Sequence, residues 1–551
     1  MATPNVILPE KGKNNILITS ALPYVNNVPH LGNIVGSVLS ADVFSRFSKL
    51  RDRPTLFICG TDEYGTATET KALETGQTPK ELCDEFHKKH KDVYDWFEIG
   101  FDYFGRTTTE QQTVIAQDIF TKLYKNGYME ERTTTQPYCE KHEAFLADRY
   151  VEGLEGRSIT RDLKWGTPIP LPGYENKVLY VWFDACIGYP SITANYTKDW
   201  ELWWRDPENV KLYQFMGKDN VPFHTVIFPG SQMGTGDKWT MLNHLSTTEY
   251  LNYENGKFSK SRGVGVFGDT AKETGVPPSV WRYYLLANRP ETNDSQFEWT
   301  SFIQMNNSVL LANLGNFVNR VIKFVNAKCD GVIPEFSADY KDESFDFPGW
   351  INDVNGQLKE FIDDMEAVRI RAGLEKLMQI STLGNNFLQY RLDNANLAEH
   401  PERTHTVIGL ALNLCYLLAS ITSPFMPSTA ESIVAQLNAP LLSIPDKWDH
   451  SALKSGHKIG KAAYLFTRID EKKGEEWRSK FGGTQASRLA EEEAKAKKKA
   501  DKERDKERKR LKKEAAKKEA DALEKKEAVE TELPLRGKVA EEQAPPPAAA
   551  P

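Results

Sequence analysis

The sequence predicts an α/β protein: a parallel-sheet domain in the front half, an all-helical bundle behind it, and a charged tail. Three observations carry this. Short apolar strands alternate with helical stretches up to about residue 255. From about Trp299 apolar residues recur at helical spacing and strand signals fade. Beyond Gln485 apolar residues almost vanish.

Ile16–Ser20 reads as a buried strand, followed by a loop through Pro23 and Pro29 and a helix from about His30 to Leu50. Thr55–Gly60 is a second buried strand, and Val178–Asp184 and Lys211–Gly217 are two more. Tyr250–Tyr253, Asn255-Gly256 and Lys257-Phe258 have the pattern of a hairpin around an Asn-Gly turn. Leu310, Leu314, Phe317, Val321 and Phe324 then step by four and three residues, one face of a helix. Leu358–Asn386 and Thr406–Ile421 also read as helical. The densest apolar run, Val407–Ile421, contains Asn413 and stops before Pro424, so it reads as a core helix rather than a membrane span.

At 551 residues, 40% of them hydrophobic, the chain can hold three or four domains with real cores. Six scattered cysteines fit reduced thiols, and the N-terminus shows no signal or transit pattern, so a cytoplasmic protein is expected. The net charge of −7 hides a segment of +9 between Lys495 and Lys518. A basic tail on an acidic body suggests a polyanion partner. Within it, opposite charges recur three apart (Asp501–Arg504, Glu503–Lys506), each pair adding about 0.2–0.5 kcal/mol to a solvated helix. The closing APPPAAAP is expected to be disordered.

Two constellations carry chemistry. Ala21–Asn33 lies between the first strand and the first helix, where open α/β sheets bind ligands. The helix start offers backbone N–H groups to phosphate, Gly32 allows close approach, and His30 can donate to a phosphate oxygen. Lys257–Gly263 places two lysines three apart among small residues. Such a loop can meet the charge that builds when an α-phosphate is attacked. Alone, the first would be an ordinary strand–helix loop and the second a basic surface loop. Together, His30-Leu31-Gly32-Asn33 and Lys257-Phe258-Ser259-Lys260-Ser261 resemble the paired HIGH and KMSKS signatures of class I aminoacyl-tRNA synthetases.

That resemblance implies a Rossmann-like catalytic domain, an anticodon-binding bundle, ATP with Mg2+, and a ligase. It sharpens toward the methionyl branch at Ala21–Tyr24, Phe57–Gly65, Tyr180–Tyr189 and Gly217–His224. The implied catalytic residues are His30, Lys257 and Lys260, with Gly32, Asn33, Gly217 and Ser259 also at ATP. The implied methionine site is Leu22, Tyr24, Asp62, Trp182, Ala185, Tyr189, Phe223 and His224, with Arg161 nearby. Aromatic walls suit a polarizable thioether, Asp62 would pair with the ammonium, and Tyr189 or His224 could donate to the sulfur. Asn33, Cys186 and Phe258 depart from the commonest residues of these motifs, Phe258 in the manner of eukaryotic-type members.

The family's zinc-bearing connective domain is mostly missing. Tyr138–Leu146 resembles its start, but the chain reaches Arg157–Arg161 almost at once. Cys139 and His142 cannot close a tetrahedral site alone, so no structural zinc is expected and no metal ligand is assigned. In the bundle, Leu311–Arg320 resembles the helix that meets the anticodon, giving Asn313 and Arg320, with Tyr390 standing for an absent tryptophan. The expected organisation is 1–14 extension, 15–133 and 166–255 catalytic halves, 134–165 connective remnant, 256–300 signature loop and stem-contact region, 301–470 anticodon bundle, and 471–551 tail. The partners expected are methionine, ATP and methionine tRNAs, with tRNA or synthetase-complex contacts through the tail and no membrane. Two rivals stand beside an active ligase: a non-catalytic or adenylation-only tRNA-binding paralogue, and a synthetase for Leu, Ile or Val.

Overall fold

Five parallel strands make the sheet that positions everything else: β1 (Asn15–Ser20), β2 (Thr55–Thr61), β3 (Tyr103–Arg106), β4 (Val210–Gly217) and β5 (Leu242–Thr248). The computed structural model describes residues 6–131, 138–139, 144–145, 158–254, 256–259, 262–389, 391–483, 503–504 and 507. The chain divides into two compact units, Met1–Gly482 and Gly483–Pro551; in the second, beyond Gly483, three exposed helical residues (503, 504 and 507) are described. The expectations for the rest of the tail lie outside the described residues.

The strand order is β3-β2-β1-β4-β5, every neighbouring pair parallel. β1 and β2 are buried along their whole length because helices cover both faces. Ile16, Ile18 and Phe57 enter one core, and Leu17, Leu56 and Ile58 the other. After β3 the chain crosses to the far side of β1, so β1 and β4 meet at a topological switch. A crevice opens there beyond the strand ends.

The first helix, α1, runs from Leu31–Asn33 through a π-helical turn, Ile34–Leu39, into Ser40–Leu50. α2 (Thr66–Thr75), α3 (Pro79–Trp96) and α4 (Glu110–Lys125) follow β2 and β3. The stretch expected as a strand at Val178–Asp184 is one only at Val178–Leu179. Tyr180 then caps helix α5, built from Val181–Asp184, Ala185–Ile187 and Gly188–Tyr196. A short continuous apolar run is equally at home in a buried strand and a buried helix. Here α5 sits over the end of the sheet, facing α6 (Phe223–Ile227 and Phe228–Gly234).

The expected hairpin is also corrected. β6 (Leu251–Tyr253) turns tightly at Gly256, but it pairs in parallel with β7 (Ser295–Phe297) rather than with Lys257-Phe258. Tyr253 stacks on Phe297 and accepts a hydrogen bond from the Trp299 indole, so distant aromatics capture the strand.

α7 (Pro278–Ala287) precedes β7, and after β7 the chain is mainly helical: α8 (299–328), α9 (Phe347–Glu366), α10 (Ile370–Leu388), α11 (Pro401–Thr422) and α12 (Pro427–Leu437). Leu358–Asn386 is two helices, broken at Val368, whose φ of 58° is left-handed and strained for a β-branched side chain. α11 is longer than its apolar run suggested. It is long and apolar enough to cross a membrane, yet it is buried inside the bundle from Thr406 to Thr422. Its polar Asn413 is satisfied there: Nδ2 donates to Gly409 and Leu453, and Oδ1 accepts from Leu453 N–H. A last helix, α13 (Lys473–Phe481), packs Trp477 and Phe481 on Trp299.

Candidate active site

The switch brings three loops together: that after β1 with His30 and Gly32, that after β2 with Asp62, and that after β4 with Gly217. His30 has extended backbone angles and is the N-cap of α1. Its Nδ1 accepts from the N–H groups of Gly32 (3.1 Å) and Asn33 (3.4 Å), while Asn33 Oδ1 accepts from His30 N–H. This is a capping box with an imidazole where Ser or Thr is usual. An accepting Nδ1 puts the proton on Nε2, and burial holds the ring's pKa down to about 4, so His30 is a neutral donor. The structure therefore corrects one expectation: two of the N–H groups at this helix start are taken by the histidine itself. Gly32 is required for the same reason, since a Cβ there would stand 2.9 Å from His30 Cε1 and 3.0 Å from Nδ1.

Across the crevice lies the Lys257–Gly263 loop. Ser259 and Val264 exchange both backbone hydrogen bonds at 2.9 Å, and Gly265 N–H donates to Phe481 O at 2.8 Å. Phe258 lies face to face with His30, ring centroids 5.0 Å apart and planes within 7°. Lys257 is exposed, its ammonium 5.8 Å from the Tyr250 ring, and Lys218 lies 4.1 Å from the same ring. Tyr250, between β5 and β6, donates to Asp219 (2.7 Å), tying the start of β6 to the segment after β4. Lys260 lies outside the described residues.

The pocket behind is aromatic. Trp182 and Phe223 stack at 3.8 Å, and Tyr24 meets Trp182 edge-on at 5.7 Å. Leu22 and Ala185 are half-buried beside them, and Tyr189 and His224 are buried. Asp62 is bridged to Tyr24, its N–H bound to Pro23 O. Its Oδ1 has no partner among the described residues. Burial, then the charges of Asp184 and Glu63, push its pKa well up. Glu63 has its own partners: both oxygens accept from Arg106, and Oε1 also from Thr61.

Sequence reasoning missed Asp184. It is fully buried, accepts from Thr167 at 2.9 Å, leaves Oδ1 unpaired, and burial pushes its pKa up to about 7. Its place in the Trp-Phe-Asp run gave no sign that it would face Asp62 from another element. Two buried carboxylates lacking full pairing make a place for a cation.

Tyr189 and His224 act as a pair. His224 Nδ1–H donates to Asn220 O (2.8 Å), which leaves Nε2 to accept from the Tyr189 hydroxyl (2.7 Å). Burial lowers the His224 pKa to about 4, keeping the ring neutral. In this arrangement neither group has a proton left for a thioether sulfur, contrary to the expectation of a donor there. Arg161 lies over the Tyr180 ring at 3.5 Å, where it supports the cap of α5.

A second surface lies on the bundle. Asn313, Asn316 and Arg320 of α8, with Ala312, face Thr382, Asn385, Asn386 and Gln389 across an open cavity of about 490 Å³. The Asn313 amide is committed to packing: it donates to Met378 O and Thr382, and accepts from Ser381 and Asn385. Among the described residues, the side chains of Arg320, Asn386 and Gln389 make no hydrogen bond. Asn386 and Gln389 were not expected from the sequence, because amides on a helix carry no periodic signal. Tyr390 lies outside the described residues. So does His142, and nothing is described of the Cys139 side chain.

Comparison with known proteins bears on the family and the fold. A family description, "tRNA synthetases class I (M)", matches residues 16–154 and 151–322, two stretches that meet at 151–154. A second, "Anticodon binding domain of methionyl tRNA ligase", matches 345–486. The cytoplasmic methionine–tRNA ligase of Saccharomyces cerevisiae is 53% identical over 566 positions, covering 87% of this chain and 75% of the relative. That span exceeds the chain's own 551 residues, so the alignment crosses positions absent here. The human cytoplasmic methionine–tRNA ligase is 46% identical, covering 88% of this chain and 63% of the relative. A solved Mycobacterium tuberculosis methionyl-tRNA synthetase in complex with methionyl-adenylate shares the fold, with a TM-score of 0.71 at 20% identity, covering 83% of this chain and all of that one.

Proposed function

The chain belongs to the class I methionyl-tRNA synthetases, and on that premise we propose how its crevice divides the work. The reaction is that of a methionine–tRNA ligase. A methionine carboxylate oxygen attacks the α-phosphate of ATP, pyrophosphate leaves, and the acyl group of the adenylate then passes to the tRNA 3′ end with release of AMP. The yeast and human relatives are named cytoplasmic, and the chain is assigned to the same compartment.

The observation that carries the residue assignment is the unpaired, buried Asp62 oxygen beside a stacked aromatic wall. Asp62 takes the methionine ammonium, with Asp184 adding negative potential behind it. Trp182, Phe223, Tyr24 and Leu22 enclose the thioether, and Ala185 leaves it room. The Tyr189–His224 pair closes the pocket as a fixed polar wall, so discrimination against leucine rests on polarizable contact more than on a donated hydrogen bond. Fixing the ammonium holds the carboxylate toward the α-phosphate. His30 offers its Nε2–H to the phosphates; Gly32, Asn33 and Gly217 shape the floor. Lys257 and Lys260, with Ser259 between them, meet the charge on the departing pyrophosphate. ATP enters as its magnesium complex, the ion carried by the phosphates. Arg161 keeps Tyr180, and through it α5, in place.

On the bundle, Arg320, Asn386 and Gln389 receive unstacked anticodon bases, while Asn313 holds α8 to α10. The basic tail adds salt-sensitive, sequence-independent tRNA affinity.

Methionine-dependent ATP–pyrophosphate exchange followed by tRNA charging tests this. Both are expected. Exchange without charging would move the chain to the adenylation-only reading and implicate the short connection near 151–157. No exchange with any amino acid would sink the ligase, and faster exchange with Leu, Ile or Val would sink the specificity. Arg320→Ala is expected to lower kcat/KM for charging about 10- to 100-fold with exchange unchanged. Charging within threefold of the parent would remove Arg320 from recognition.

A further inference from the structure

Phe258 is the residue of the signature loop with no chemistry of its own, yet it makes the closest ring contact with His30. The imidazole is held on three sides. Its Nδ1 edge accepts from Gly32 and Asn33, its face lies on Phe258, and Phe267 approaches edge-on at 6.5 Å. Phe258 is itself backed by Tyr253 at 5.6 Å. The backbone makes room for it at Gly265, where φ is +106° and a Cβ would stand 2.3 Å from Phe258 Cδ1. An apolar filler would need only volume, which Leu supplies. A ring within 7° of parallel to an imidazole does something Leu cannot.

We infer that Phe258 is a positioning residue for adenylation. Its stacked ring confines the plane of His30, so that Nδ1 stays on the helix cap and Nε2–H is the single donor turned to ATP. The inference rests on the proposed adenylation reading. Turning the imidazole over would break both backbone hydrogen bonds and present a carbon where the donor was. A parallel aromatic face resists that motion, and an aliphatic chain leaves the ring free to rock. The same contact makes the geometry of His30 depend on the loop being seated, so donor and lysines are set in place together.

Stacking also keeps water from the imidazole. Among the described residues, the segments packed on His30 carry Tyr253, Glu254, Lys257, Arg262 and Asp269 as titratable or charged groups. The low pKa of His30 nevertheless comes from burial. Leucine covers less of the imidazole face than a ring lying parallel to it, so Phe258→Leu lets that pKa climb from about 4 toward the ordinary 6.5. The acid limb of the rate profile should then move up with it.

The test is methionine-dependent ATP–pyrophosphate exchange by the full chain from pH 4 to 8, with kcat and KM for ATP separated. Phe258→Leu is expected to lower kcat about tenfold, shift KM less, and raise the acid limb by roughly one to two pH units. Phe258→Tyr, which keeps the ring, is expected to hold both within about threefold of the parent. In a His30→Ala background, Phe258→Leu should cost nothing further, because its effect passes through the imidazole. Phe258→Leu matching the parent, Phe258→Tyr failing as badly as Leu, or a full extra loss in the His30→Ala background would each overturn the inference. Loss of exchange in the parent itself would overturn the adenylation reading instead.

Discussion

Asp62→Asn raises the KM for methionine in pyrophosphate exchange roughly 100- to 1000-fold and leaves kcat at saturating methionine within about tenfold, the cost of unpairing a buried charge being about 3–4 kcal/mol. The substitution keeps the side-chain shape and removes one negative charge from a site that holds two unpaired carboxylate oxygens, on Asp62 and Asp184. The ammonium contact exists in both the Michaelis complex and the transition state, so its loss falls on KM.

The protonation balance gives a second readout of the same variant. Burial, with Asp184 and Glu63 nearby, raises the Asp62 pKa, and burial raises Asp184 to about 7. An acid with a raised folded pKa stabilises the fold fully below its unfolded value of 3.8, and that contribution is lost as pH rises through the folded value. The free protein therefore loses stability from Asp184 between about pH 4 and 7, and from Asp62 as pH rises through its own raised value, while the methionine cation binds better as both ionise. Thermal stabilisation by methionine should grow from pH 5 to 8 in the parent and grow much less in Asp62→Asn. A KM within threefold of the parent would remove Asp62 from the ammonium site.

Arg282→Met is the substitution with the largest expected effect on stability, a loss of about 3–5 kcal/mol in thermal or urea unfolding. Its guanidinium is fully buried, and every donor is used. Nε donates to Phe425 O (2.6 Å), and Nη1 to Phe97 O (2.9 Å) and Glu98 O (3.3 Å). Nη2 donates to Asp42 (2.7 Å) and Pro424 O (2.9 Å). One side chain on α7 thus clamps α1, the turn after α3 and the end of α11. Methionine fills much of the volume but donates to none of these carbonyls, and leaves Asp42 with only Arg46 and Gly100 N–H.

Burial alone would raise the Asp42 pKa, but Arg46, Arg282 and Gly100 N–H outweigh it and hold the value below the ordinary one. Its contribution is present above the unfolded value of 3.8 and lost as pH falls through the lower folded value. Arg282→Lys keeps the charge but not the fork and should recover part of the loss. An Arg282→Met protein that unfolds with the parent would show that the clamp contributes nothing.

The reach of the sequence can be judged residue by residue. β1 and β2 were legible because strands buried on both faces are written as short apolar runs, and β4 because its apolar residues stand out even though Lys211 is exposed and Gln214 interrupts them. α8 was legible because its apolar residues step by four and three. Val178–Asp184 misled for the same reason β2 did not: a short apolar run ending in an aspartate does not say which element it forms, and packing against α6 decided for a helix. The β6 strand was found, but its partner lay forty residues away in β7. The break at Val368 was invisible, since a valine gives no turn signal.

His30, Gly32, Asp62, Trp182, Tyr189, Phe223, His224 and the Lys257 loop were all named from sequence, because a ligand at strand ends draws its contacts from short segments that each carry their own pattern. The sequence by itself thus determined the family, the order of the loops around the crevice and the residue types on its walls. Only the tertiary structure decided where the protons sit and which groups answer each other. Asp184 stands against Asp62, Tyr189 spends its proton on His224, Arg282 reaches Asp42, and Phe258 lies on the His30 with which the chemistry begins. Local pattern is fixed by the backbone's periodicity, while a proton or a buried charge settles by the partner that arrives from elsewhere in the chain.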